Sequence, residues 1–287
     1  MGSYKVAVMS ISPPVVLTIA GFDPSSGAGI TADIKTIAAH GCYGVSAITA
    51  LTVQSTTGVR RLEPMNPKLL RESLDALTAD VKVSAVHIGM LGNAEVAAEV
   101  VRFLARAKLP NVVLDTVLAS TSGVRLLDEA GRKVLTEKLL ALTAVVTPNA
   151  QEASALTGLE VTSVEDMRLA AERLQEMGAQ NVIVTGGHLE VATDVLRLFN
   201  GEIQKFKSER IDSDFTHGTG CAFSSSIACH LAQDRPIPEA VLLAKAYVTA
   251  AISNGYPIGN GISPVNHMYR MKNHPGGFAR KLASGRN

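Results

Sequence analysis

Val15-Val-Leu-Thr-Ile-Ala20 is a continuous apolar run, closed by Gly21 and followed by Ile30, Ile34, Ile37 and Ala38 at helical spacing. A strand without polar alternation must be covered on both faces, and a helix directly after it is the first half of a parallel crossover. The same unit recurs outward along the chain. Strands are expected at Val45 to Val53, Ala85 to Ile88, Asn111 to Asp115, Ala144 to Thr147 and Asn181 to Thr185. Helices are expected from the Leu70, Leu74, Leu77, Val81 stripe, over Ala94 to Lys108 and Asp128 to Leu140, and from the Val164, Met167, Ala171, Leu174 stripe. Asn200-Gly201 between Val195–Phe199 and Glu202–Lys207 is a hairpin signal. Two further helices should span about Gly218 to Gln233 and Pro238 to Asn254. The pattern predicts an α/β fold with a mostly parallel central sheet, helices on both faces and a small antiparallel edge.

No linker, repeat or low-complexity tract interrupts this alternation. The expected division is an N-terminal extension (1–14), a single domain (15–267) and a C-terminal tail (268–287). That tail carries five Lys/Arg and no acid, and reads as a solvated end. Hydrophobic residues make up 46% of the 287 residues, enough for a sizeable core. The net charge of +1 gives no electrostatic footprint for nucleic acid or a membrane surface. There is no Trp, and aromatics are only 4%, which argues against base-stacking platforms. Cys42, Cys221 and Cys229 are odd in number and form no C-x-x-C pair, so neither a disulfide scaffold nor a zinc knuckle is expected. Residues 1–14 lack an apolar signal core, and no run is long enough to span a membrane. A soluble cytoplasmic protein is the expectation.

In open α/β sheets ligands gather outside the carboxyl ends of the strands. The loop Gly21-Phe-Asp-Pro-Ser-Ser-Gly-Ala-Gly29 lies at one such end, with Asp23 and Asp33 able to anchor polar groups. It has neither the dinucleotide fingerprint nor a Walker loop, and a tight-turn role is equally open. Gln54 could pair with a heterocycle edge through its amide. Asp115 closes a strand, and Asn149 with Glu152 could hold a hydrated Mg²⁺, although Asn149 could equally be an N-cap. Thr216-His-Gly-Thr-Gly-Cys221 opens an apolar helix, where converging N–H groups and the helix dipole suit a phosphate. The same field should lower the pKa of Cys221, making it a proton acceptor; the alternative is a buried core cysteine after a glycine-punctuated loop.

The chain resembles the hydroxymethylpyrimidine/phosphomethylpyrimidine kinases of the ribokinase-like superfamily. The matching segments are Thr18-Ile-Ala-Gly21, Ser26-Gly-Ala-Gly-Ile30 with Ala32-Asp-Ile-Lys35, and Ser46-Ala-Ile-Thr-Ala-Leu-Thr52. They continue with Ile88-Gly-Met-Leu91, Asn111-Val-Val-Leu-Asp115, Thr147-Pro-Asn149, Gly186-Gly-His-Leu189, Thr216 to Cys221 and Ala244-Lys-Ala-Tyr247. Thr216 to Cys221 is the most diagnostic, since most of the superfamily has Asp where this family has Cys. Two departures stand out: Thr185 and Thr121 occupy positions where the family commonly has Lys.

The resemblance implies transfer of the ATP γ-phosphate to the hydroxymethyl group of 4-amino-5-hydroxymethyl-2-methylpyrimidine, and then to its monophosphate. It implies Cys221 as base and the amides of Gly218, Thr219, Gly220 and Cys221 as an anion hole. Gln54 would read the pyrimidine edge, Gly21, Ala28, Met90 and Val117 would pack around the ring, and Asp33 would orient its polar edge. Asn149, Thr185, Gly187, His217 and Lys245 would serve ATP and its phosphates, with Glu152 and Asp115 near Mg²⁺. A homodimer is implied by analogy alone. Pyridoxal or pyridoxine is the alternative substrate on the same fold, and a non-catalytic pyrimidine-binding relative is the alternative class.

Overall fold

The computed structural model describes residues 12–120, 122–187 and 192–271. Thr121, His188, Leu189 and the ends of the expected extension and tail lie outside the described residues. Nine strands form one sheet in the order β3-β2-β1-β4-β5-β6-β7-β8-β9. β1 (Val15–Phe22) runs parallel to β2 (Tyr43–Ser55) and to β4 (Ala85–Ile88). The parallel set continues through β5 (Val112–Leu114), β6 (Val145–Val146) and β7 (Asn181–Val184). β8 (Ala192–Arg197) and β9 (Ile203–Ser208) close one edge antiparallel, joined through Asn200-Gly201 with Gly201 at a φ of 86°.

The period-two pleat sends alternate residues to two cores. Leu17, Ile19, Val86, Ile88, Val112, Leu114, Val182 and Val184 face one, while Val16, Ala85, Val113, Val145 and Ile183 face the other. The first is covered by α2 (Pro67–Asp80), α3 (Ala94–Ala107), α4 (Glu129–Val134), α5 (Ala150–Thr157) and α6 (Val164–Glu176). The second is covered by α1 (Gly29–Ala39), α7 (Thr219–Ala232) and α8 (Ile237–Ser253). β1 lies third from one edge, and strand order reverses about it, with β2 on one side and β4 on the other, so the crevice beside it is the switch point.

Two expectations need correcting. Antiparallel strands occur at both edges, because β3 (Gly58–Pro64) folds back along β2. Arg60, Arg61 and Glu63 make β3 polar, which hid it from an apolar-run reading. The helix expected over Asp128 to Leu140 keeps α-geometry only to Val134. It then widens to a π-turn at Leu135–Leu139 and tightens at Leu140–Leu142. The widening seats Leu135, Leu139 and Leu140 in the core together.

Candidate active site

The loop after β1 is organised by one carboxylate. Asp23 Oδ1 accepts from the amide and hydroxyl of Ser25 at 2.8 and 2.7 Å, and Oδ2 accepts from the amides of Gly27 and Ala28 at 3.2 and 2.9 Å. His217 Nε2 sits 2.9 Å from the same Oδ2, across 194 residues of sequence. Burial alone would raise the Asp23 carboxyl, but these hydrogen bonds, His217's foremost, outweigh it and hold it below its usual value. The two glycine loops then meet backbone to backbone. A Cβ on Gly218 would lie 1.8 Å from the Gly27 carbonyl, and one on Gly27 would lie 2.1 Å from the His217 ring. Gly218 also has a φ of 80°, so glycine is required twice over.

Beside this junction, Gly21 packs against Met90, whose methyl would be 1.9 Å from a Cβ at Gly21. Met90 belongs to a small apolar cluster with Ala50 and Leu126, lined by Val59, Leu62 and Val117. Gln54 is half-buried at the end of β2, with Oε1 3.1 Å from the Thr52 hydroxyl and Nε2 3.5 Å from His217 Nε2. Gly21 and Val117 thus adjoin the Met90 cluster, and Gln54 reaches the His217–Asp23 junction that also holds the amide of Ala28. Leu126, Val59 and Leu62 were missed by sequence reading, because they arrive from β3 and from the loop before α4.

His217, expected on the ATP side, instead faces Asp23 and Gln54 on this side. Asp33 is fully buried beneath the crevice, accepting from Thr18 at 2.7 Å and Ser225 at 3.3 Å. It supports the floor and presents no edge to a ligand; α1 turns its side chain inward. Against Asp33, in the same buried layer, is His87 of β4, also fully buried. Its Nδ1 is 3.3 Å from Asp33 and its Nε2 is 2.8 Å from the Ser224 hydroxyl. The signals for this cluster were a histidine inside the apolar run Ala85-Val-His-Ile88 and three consecutive serines, 224–226, in an apolar helix.

α7 follows Gly218 with no side chain capping it; the Thr219 amide donates to the Thr216 carbonyl at 3.3 Å, which leaves the amides of Gly220 and Cys221 to meet an anion. Cys221 lies in that first turn, but the expected fall in its pKa does not occur. Burial pushes the thiol well above its usual value, and the carboxylates of Asp115 and Asp33 push further, outweighing a favourable Gly29 amide. Burial, with two nearby anions added, works against the helix terminus.

Asp115 closes β5 and accepts from Ser224 at 3.2 Å; a Cβ on Gly220 would lie 3.7 Å from its Oδ2. Burial, with Asp33 adding, pushes its carboxyl up to about 6 despite His87. Glu152 goes further, to about 8, through burial first and Asp115 second. Asn149 and Glu152 cap α5 reciprocally: Asn149 Oδ1 accepts from the Glu152 amide at 2.9 Å, and Glu152 Oε2 accepts from the Asn149 amide at 3.0 Å. The side-chain oxygen of Asn149 is therefore committed to the cap, and its Nδ2 is the end that could donate to a phosphate oxygen. Thr185 contributes its backbone to the same junction, donating to Pro148 and accepting from Ala150. Gly187 is exposed nearby. Lys245 is already ion-paired with Asp194 at 2.7 Å, so its charge is partly spent before any phosphate arrives.

Among the described residues no group of three His, Cys, Asp or Glu is placed to hold a metal. Asp115 and Glu152 nevertheless suit a divalent cation that keeps most of its waters: two buried carboxylates whose mutual repulsion a cation would relieve. No helix of the described residues is long and apolar enough to cross a membrane.

An open parallel sheet whose switch-point crevice is bordered by two interlocked glycine loops and an uncapped helix start defines a ribokinase-like small-molecule phosphotransferase. The chain belongs to the phosphomethylpyrimidine kinase family, whose model matches residues 23–266. It is 43% identical over 257 residues to the hydroxymethylpyrimidine/phosphomethylpyrimidine kinase of Haemophilus influenzae, covering 88% of this chain and 96% of that one. It is 45% identical over 254 residues to the thiamine biosynthesis bifunctional protein ThiED of Geobacter sulfurreducens. That match covers 88% of this chain, which spans only about half (52%) of the Geobacter protein. Among solved structures, the ADP complex of Bacillus subtilis pyridoxal kinase superposes with a TM-score of 0.83 at 34% identity, covering 91% of this chain and all (100%) of that one.

Proposed function

We propose that this chain transfers the γ-phosphate of ATP to the hydroxymethyl group of 4-amino-5-hydroxymethyl-2-methylpyrimidine, and then phosphorylates the monophosphate to the diphosphate. The observation that carries the reading is the junction of Gly27 with Gly218. It sets the uncapped start of α7, and Cys221 with it, beside the crevice bordered by Met90, Val117 and Gln54.

Gln54 offers an amide to the aminopyrimidine edge, while Gly21, Ala28, Met90 and Val117 pack the ring. The amides of Gly220 and Cys221 receive the phosphoryl oxygens as charge builds during transfer. Asp115 and Glu152 would hold Mg²⁺, which would supply counter-charge for the triphosphate. Cys221 acts as the thiolate left when its thiol proton passes to water, and its Sγ takes the alcohol's proton. ATP lies toward Thr185 and Gly187. The catalytic unit is residues 15–267, and it acts in the cytoplasm as a homodimer. Incubating the protein with Mg-ATP and the pyrimidine alcohol, and following both products by mass, tests the proposal. No turnover would overturn it.

Pyridoxal is the second reading, favoured by the fold match to the Bacillus pyridoxal kinase. The same assay with pyridoxal separates the two. The second phosphorylation needs more counter-charge than the first, because the monophosphate adds about two negative charges next to ATP. Thr185 supplies no charge and Lys245 is already paired with Asp194. Diphosphate formation is therefore expected to be the slower step, and Thr185→Lys to speed it selectively. Equal rates, unmoved by that substitution, would remove the charge argument.

A further inference from the structure

His87 takes no part in the chemistry above, yet it is the hub of the buried polar layer beneath the site. It stands on β4 with Thr18 of β1, Asp33 of α1 and Ser224 of α7 around its ring. The titratable groups facing it are Asp33 and, beyond Ser224, Asp115 and Cys221.

Proton accounting fixes what the ring must supply. Thr18 has one hydroxyl proton, and it goes to Asp33 Oδ2 at 2.7 Å. His87 Nδ1, 3.3 Å from both Thr18 Oγ1 and Asp33 Oδ2, therefore faces lone pairs alone. On the other side, Ser224 also has one proton. Three acceptors compete for it: the Gly220 carbonyl at 3.0 Å, Asp115 Oδ2 at 3.2 Å and the Cys221 carbonyl at 3.3 Å. If Ser224 gave its proton to Nε2, 2.8 Å away, all three would be left facing its lone pairs; with Nε2 donating instead, that proton stays with them. A neutral imidazole carrying its proton on Nδ1 would therefore leave those three oxygens without a donor from Ser224.

We propose that His87 is a positioning residue for phosphoryl transfer: protonated on both ring nitrogens, it ties Asp33 to Ser224 and so fixes the first turn of α7. Burial opposes that charge, but the carboxylates of Asp33 and Asp115 outweigh it, and the group is pushed above its usual value. The consequence for the site follows from peptide planarity. Holding the Gly220 carbonyl fixes the plane it shares with the Cys221 amide, and with it the direction in which that amide points. Ser225 forms a parallel arm, its one hydroxyl proton shared between the Cys221 carbonyl and Asp33 Oδ1. His87 thus sets the geometry of the anion hole without touching substrate. The catalytic half of this inference rests on the proposed kinase activity; the charge state does not.

Two measurements test it. In protein labelled with ¹⁵N in its histidines, the His87 ring should carry protons on both nitrogens at pH 8, where an ordinary histidine is neutral. The signal is assigned by its loss in His87→Gln or His87→Lys. A ring with one bare nitrogen at that pH overturns the proposal whatever the enzyme turns over. For kinetics, measured with whichever alcohol the wild type phosphorylates, His87→Gln should lower kcat about 10²-fold while KM for both substrates stays within about threefold. His87→Lys, which restores a cation, should recover most of that loss. Unchanged kcat in a folded His87→Gln, or a folded His87→Lys no better than the glutamine variant, refutes the positioning role. Should the glutamine variant not fold, the wild-type spectrum assigned with His87→Lys still decides.

Discussion

Two helices begin at the mouth of this site, and they begin in opposite ways. α5 is sealed by its own side chains, Asn149 and Glu152 satisfying each other's amides. α7 starts at a glycine in the left-handed region with no side chain across its terminus. Sequence motifs suggested phosphate chemistry at both. The difference assigns the roles: an open terminus can receive an anion, whereas a capped one has spent its donors and becomes a platform for a carboxylate.

The largest test of this contrast lies in the open turn. Cys221→Ala should fold normally and lose about 10² to 10⁴ in turnover, the usual worth of a positioned proton acceptor. Turnover close to wild type would make Cys221 a packing residue and leave the open terminus without its chemistry.

Next comes a matched pair, one substitution at each terminus. Gly218→Ala forces a Cβ into the Gly27 carbonyl and strains a positive φ, so the two loops must part. A displacement of that size should cost about 10²-fold in kcat/KM. Asn149→Ala at the capped terminus should cost about 1 kcal/mol of stability, read by thermal unfolding, with far less effect on turnover. The contrast breaks if the two substitutions affect turnover alike.

The smallest effect concerns two carboxylates near the capped terminus, Glu152 of α5 and Asp115 at the end of β5. Asp115 and Glu152 keep their protons to about 6 and about 8 in the folded chain, against ordinary values of 3.8 and 4.5. The unfolded chain releases those protons first, so between about pH 4 and 8 the folded form binds more of them and loses stability as pH rises. Without Mg²⁺ the unfolding midpoint should therefore fall from pH 5 to pH 8. Adding Mg²⁺ should raise it more at pH 8 than at pH 5, by about 2–4 °C for each kcal/mol relieved. Glu152→Gln should flatten the pH dependence and shrink the Mg²⁺ gain. An equal Mg²⁺ gain at both pH values, insensitive to that variant, would place the cation elsewhere.

Much of the fold was legible, because each central strand is an apolar run too short to be a helix and each is followed by a helical stripe. What escaped was β3, whose Arg60, Arg61 and Glu63 face outward at a sheet edge, and the π-turn at Leu135, which only the shape of the core demands. In the site, the glycine loops and the ring-packing residues could be read locally. The partners could not. His217 finding Asp23, Lys245 finding Asp194 and Asp33 turning under the floor are each decided by neighbours far away in sequence. The depressed pKa expected for Cys221 failed for the same reason: the helix terminus was visible in the sequence, while the burial of the thiol and the two carboxylates beside it were not.

The contact between Gly27 and Gly218 also sets a schedule. During synthesis the first loop leaves the ribosome early, and its partner follows 194 residues later by the Asp23–His217 spacing. At about 5–20 residues per second that is a wait of about 10 to 40 s. Until then β1 lies without the α7 that will roof it, and the apolar centre of the sheet is open on one side. The pocket is consequently incomplete until the start of α7 has been made and docked. Catalysis certifies that these two distant loops have met, and a nascent or nicked chain missing its final third has no half-formed site with which to squander ATP.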